Sequence, residues 1–170
     1  MENLLFFLAT SFAIRKLSAP RKFRNCFIGD TGCSALLFTG NNGIDSITTR
    51  NGDDLYFHEY SEKKITYGLI CIRLHKNYEL LSAEELLSVY INKLRKPFHI
   101  HHHIGLTGDT DWNQTGTATI TDYWQDRKGF DWKIKGYTNG KYMAVLYVKN
   151  IGEAALNKHD LFLDSFHFGE

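Results

Sequence analysis

The sequence predicts an α+β fold, a mostly antiparallel β-sheet flanked by helices, and three observations carry that prediction. Short β-type runs recur between Gly/Asn turn signals, one capped amphipathic helix stands in mid-chain, and the composition is 14% aromatic with only two prolines. In the first half, Ala35-Leu36-Leu37-Phe38 is followed by Gly40-Asn41-Asn42-Gly43, then Ile44 to Thr49, then Asn51-Gly52-Asp53-Asp54. Glycine and asparagine accept the positive φ of tight turns, so these runs read as successive hairpins. Leu55 to Tyr60 and Ile65 to His75 continue the meander around the charged turn Glu62-Lys63-Lys64.

The helix is the clearest element. Ser82-Ala83-Glu84-Glu85 has capping-box spacing, and Leu86, Leu87, Tyr90, Ile91 and Leu94 then recur on one helical face. It should pack on the sheet and stop before Pro97, whose ring disfavours helix at the preceding residue. Strands resume with Phe98 to Ile104, Thr115 to Trp124, Phe130 to Tyr137 and Lys141 to Lys149. Asn139-Gly140 reads as a type I′ joint between the last two. The chain closes with a short helix around Glu153 to Leu156 and an apolar run from Leu161 to Phe168.

With 170 residues, one core suffices, and a single domain over residues 25–170 is expected behind an apolar segment and basic connector at residues 1–24. Twenty Lys and Arg against nineteen Asp and Glu leave a formal charge of +1, so no overall field draws the protein to nucleic acid. The apolar run Leu4 to Ile14 is too short to span a bilayer, and it carries Glu2 before it and Arg15-Lys16 after it, the reverse of a signal peptide. A short helix docked on a cytoplasmic domain is the reading; residues 1–19 acting as a targeting segment would make the protein an exported one. Cys26, Cys33 and Cys71 are odd in number and lack C-x-x-C spacing, which favours a reduced compartment. Cys71, within Gly68-Leu69-Ile70-Cys71-Ile72, reads as a buried inert thiol.

The capped helix from Ser82 to Arg95, the Tyr137-to-Tyr147 hairpin and the terminal Phe162-Leu163-Asp164-Ser165-Phe166-His167-Phe168 together resemble the PsbP-like group, which includes the DcrB-type bacterial proteins. The likeness spans roughly residues 34–168. It implies an α-β-α sandwich used for binding other proteins and seldom for catalysis, and it carries over no particular residue.

Three constellations bear on chemistry. In His99-Ile100-His101-His102-His103, strand alternation would put His99, His101 and His103 on one face, where two imidazoles two residues apart can share a zinc ion if another strand adds a ligand. The same pattern also describes a solvated His-rich strand with no cofactor. Gly29-Asp30-Thr31-Gly32 resembles the catalytic turn of retroviral-type aspartic proteases, in which two carboxylates share a proton; a plain β-turn is the simpler reading. No G-x-S-x-G, Walker, Rossmann or H-E-x-x-H pattern is present. The loop from Gly105 to Asn113, with Asp109, Asp111 and Trp112, lies beside Trp124 in this scheme, and Trp and Tyr are favoured at interface hot spots. The expectation is therefore a non-enzymatic interaction protein with a protein partner, contacting it through Asp109, Asp111, Trp112 and Trp124. The alternatives are a zinc protein using His99, His101 and His103, and a protease-like turn at Asp30.

Overall fold

The computed structural model describes residues 22–38, 43–75, 82–104, 117–151 and 156–169. Along them run β1 (Phe23–Phe27), β2 (Ser34–Phe38), β3 (Asp45–Thr48), β4 (Asp54–Glu62), β5 (Ile65–Arg73), α1 (Ala83–Leu94), β6 (Ile100–His103), β7 (Ala118–Asp126), β8 (Asp131–Thr138), β9 (Tyr142–Lys149) and α2 (Leu156–Leu163). Strands β3 to β9 form one antiparallel sheet in the order β3-β4-β5-β9-β8-β7-β6, and β1 pairs with β2 in a separate hairpin. The central β5 and β9 are covered on both faces, so each is a nearly unbroken buried apolar run with no polar alternation.

Helix α1 covers one face. Its capping box forms as the spacing predicts: the Glu85 amide donates to Ser82 Oγ at 3.2 Å and the Ser82 amide to Glu85 Oε2 at 2.9 Å. Leu86, Leu87, Tyr90, Ile91 and Leu94 are its buried residues, packed with Ile70, Ile120, Ile134 and Val145 of the sheet. Gly136 lets the helix approach, because a Cβ there would lie 2.8 Å from Ile91 Cδ1.

The opposite face is closed by the β1–β2 hairpin, α2 and residues 165–168. Phe23, Phe38, Tyr67 and Phe162 pack ring on ring, with Phe23 and Phe38 centroids 4.1 Å apart. The Lys158 ammonium lies 4.9 Å from the Phe38 ring and 5.5 Å from both Phe23 and Tyr67, a cation over three aromatic faces. Polar ties fix α2: Lys133 to Asp160 at 2.7 Å, Lys135 to Asp164 at 2.6 Å, and the Tyr137 hydroxyl donating to the Leu163 carbonyl at 2.6 Å. Ser34 and His167 exchange two backbone hydrogen bonds, so residues after α2 extend the hairpin.

Three local expectations are corrected. β1 begins at Phe23, inside the stretch read as connector, because Phe23 buries its ring in the hairpin face. α2 occupies 156–163, later than the short helix expected around Glu153 to Leu156, whose residues 153–155 lie outside the described residues, and it takes in the start of the closing apolar run: Phe162 and Leu163 are 1% exposed and Leu161 58%, which suits one helical face. The type I′ geometry lies elsewhere, since Lys63 (φ 48°) and Lys64 (φ 74°) both have positive φ at the two-residue β4–β5 turn. At the β8–β9 turn only Gly140 does, with Asn139 Oδ1 accepting from the Lys141 and Tyr142 amides.

Candidate functional site

The His-rich segment departs from the regular strand its alternation implied. After α1 the chain makes one more turn, in which the His99 amide donates to the Lys96 carbonyl at 3.1 Å and the Ile100 amide to the Arg95 carbonyl at 2.9 Å. This is a Schellman-type ending with His99 in the left-handed position usually held by glycine, at φ 55°. His99 therefore lies outside β6. Ile100 then pairs with Asp126 but His102 with Gln125, leaving His101 as the extra residue of a bulge. The phase change puts Ile100 and His103 on one side and His102 on the other, so His99, His101 and His103 do not line up. His101 Nδ1 instead lies 3.1 Å from the Gln125 carbonyl. Among the described residues no three His, Cys, Asp or Glu side chains converge to hold a metal.

A pocket of about 460 Å³ opens at this edge of the sheet, with Trp124, Trp132, Tyr123, Ile104 and Ile151 as its apolar lining and His102, His103, Gln125 and Asp131 around them. Ile104 is 79% exposed and Tyr123 37%, whereas Trp124 and Trp132 are nearly fully buried.

Two buried carboxylates hold the tryptophans. Trp124 Nε1 donates to Asp122 at 2.6 Å, and the same carboxyl takes Arg95 at 3.1 Å. Trp132 Nε1 donates to Asp126 at 3.2 Å, and Asp126 also pairs with Lys149 at 3.0 Å. Burial alone would raise Asp126, but Lys149 and the Phe130 and Lys128 amides outweigh it and hold the carboxyl below its ordinary value. Both indole N–H groups are thus spent internally, and the tryptophans present only apolar surface to the pocket.

Asp30 belongs to another cluster. Its carboxylate accepts the Tyr56 hydroxyl at 2.5 Å and Arg73 at 3.2 Å, which lower its pKa in that order; Arg73 bridges on to Asp54 at 2.6 Å. Asp54 is held low by His75, then Arg73, then Thr48. A guanidinium stands between the two carboxylates, so they are ion-paired and do not share a proton as a protease dyad must. The geometry is a latch of the Gly29–Cys33 turn onto β4 and β5.

Of the expected contact residues, Trp124 is at the pocket, and Asp109, Asp111 and Trp112 lie outside the described residues. The pocket's carboxylate supports, Asp122 and Asp126, were missed. Their signal was present in the even-numbered alternation Ile120, Asp122, Trp124, Asp126, which puts two acids on a buried face where only a paired charge survives.

No family profile matches the sequence, and no curated protein does. Among solved structures the chain is similar to the solution structure of cyanobacterial PsbP (CyanoP) from Synechocystis sp. PCC 6803, with a TM-score of 0.53 and 11% identity over 92% of this chain and 98% of that one. The fold is PsbP-like. In this PsbP-like sandwich the pocket sits at the β6 edge, away from the centre of the sheet, and no helix among the described residues is long and apolar enough to cross a membrane.

Proposed function

We propose that the protein is a non-enzymatic binding protein that holds a protein partner at the β6 edge of its PsbP-like sheet. The observation that carries this reading is the pocket itself, whose lining joins exposed Ile104 and Tyr123 to two tryptophans whose polar atoms are already satisfied. Such a surface gains by burying apolar area and has a polar His and Gln rim for orientation. The test is partner capture with Ile104→Glu and Tyr123→Ser, both at exposed positions, with circular dichroism as the check that each variant folds. Loss of a stable partner in both variants supports the reading. Undiminished capture in both, or robust turnover by the purified protein, overturns it.

A second reading is a zinc protein using the β6 histidines, favoured by His101 and His102, whose ring centroids are 5.3 Å apart on the exposed edge. His99 and His103 are its remaining candidates. Elemental analysis of untagged protein decides it: stoichiometric zinc lost on His101→Ala supports the site, and its absence removes it.

A further inference from the structure

His159 stands on the buried stripe of α2. With Phe162 and Leu163 it takes positions i, i+3 and i+4 of that helix, and all three are 1% exposed. The position suits a hydrophobe, yet an imidazole fills it. The ring packs edgewise against Tyr67, with centroids 5.7 Å apart and planes at 66°, and the Phe162 ring meets the same Tyr67 at 5.4 Å. Neither Nδ1 nor Nε2 of His159 has a hydrogen-bond partner among the described residues, so even the neutral ring buries an N–H that nothing accepts. Protonation would bury two such donors and a charge with them.

The surroundings are poorly suited to that charge. On the same helix stand Lys158 and Asp160, and from β8 Lys133 pairs with Asp160 at 2.7 Å. Lys158 pairs with Glu62 of β4 at 3.2 Å and lies 5.5 Å from the Tyr67 ring centroid, so a protonated His159 would be a second cation against one ring. β9 offers apolar side chains to this cluster, Leu146 and Val148 among them, and the hairpin offers Phe23 and Phe38. Both carboxylates are thus already engaged by lysines. The Tyr67 hydroxyl is pushed up to about 12 by burial and then by Glu62, and it supplies no phenolate to answer an imidazolium. Burial holds His159 below its ordinary value of 6.5; Asp160 works against that shift, and Lys158 and Lys133 add to it.

We propose that His159 is an acid-sensitive catch: its protonation drives α2 off the sheet and uncovers the aromatic stack of the hairpin face, while the seven-stranded sheet and α1 stay folded. The sign follows from which form holds the proton better. Lifting the helix returns the ring to water, so the open form binds the proton more tightly than the closed one. Closure is therefore favoured in full above pH 6.5 and weakens as pH falls from there toward the folded value. The catch lies on the face opposite α1 and stands independently of the partner pocket.

The test is hydrogen exchange on the full chain, with each rate corrected for the intrinsic effect of pH. Residues 156–163 should lose protection severalfold between about pH 7.5 and about pH 5.5, while residues 83–94 of α1 keep theirs. His159→Phe keeps a ring in the site but cannot be protonated, and it should leave α2 equally protected at both pH values. His159→Gln, smaller and also unable to titrate, should do the same and covers the case in which the larger ring does not fit. Equal protection of α2 at both pH values in the wild-type chain, loosening of α1 in step with α2, or a pH dependence that survives in both variants overturns the proposal.

Discussion

The two faces of the sheet are closed in opposite ways. On one, a single helix following β5 in the chain lays down five apolar side chains, and two buried carboxylates pin tryptophans at the β6 edge. On the other, a hairpin from early in the chain meets a helix and a bridging segment from its end over a stack of aromatic rings. The first face is built locally with polar anchors inside it; the second depends on long-range contacts and keeps most of its ion pairs at the rim. Local closure and non-local closure should fail differently.

The largest expected effects compare the cores directly. Asp122→Ala strands the Arg95 guanidinium and the Trp124 indole N–H and should cost about 3–5 kcal/mol by urea unfolding, the Arg95 part of it recovered when Arg95→Met is added. Phe162→Ala should cost about as much, ~3–5 kcal/mol, with no polar partner whose removal restores it. Equal rescue on both faces would erase the distinction. Next, Gly68→Ala would place a Cβ 2.0 Å from Tyr147 Cζ. The expected loss is about 1–3 kcal/mol, because a fully buried ring has little room to retreat.

Acid should weaken both faces together. Asp30 and Asp54 on the hairpin side and Asp126 on the helix side are all held below the ordinary carboxylate range. Their contribution is therefore complete above about pH 4–5 and is lost as pH falls through and below the unfolded value of about 3.9. Glu59 runs the other way, raised by burial against the hydrogen bond from Tyr147, so its contribution is present at low pH and fades as pH rises through its folded pKa. A pH series of unfolding midpoints that stays flat below pH 4 would contradict the pairing.

Smaller still, Ser82→Ala should cost about 1 kcal/mol and act on the helix face alone. The smallest effect has the opposite sign. Lys63→Asn with Lys64→Gly should gain about 1 kcal/mol, since both positions need positive φ.

The helix face was legible in the sequence because its information is contiguous: Ser82 to Leu94 contains its own cap and its own buried stripe. The central strands were legible for the same reason, as apolar runs bounded by turns. The hairpin face was not. Phe23 sits among Lys22, Arg24 and Asn25, and only the distant Phe38, Tyr67 and Phe162 make it core. The β6 edge failed on a subtler point, because alternation assumes an unbroken pleat and one bulge at His101 reverses the phase of everything after it. At the candidate pocket, aromatic content pointed to Trp124, but its burial rests on Asp122 and Asp126, acids that alternation places on the buried face and composition counts as surface.

The bridge between Ser34 and His167 also bears on synthesis. A nascent chain can pair β3, β4 and β5 early, but the sheet joins only when β9 is made, and the hairpin has no lid until the segment beyond Asp164 emerges. A chain ended near residue 155 and released would therefore carry an uncovered aromatic surface that chaperones recognise and that the finished molecule conceals.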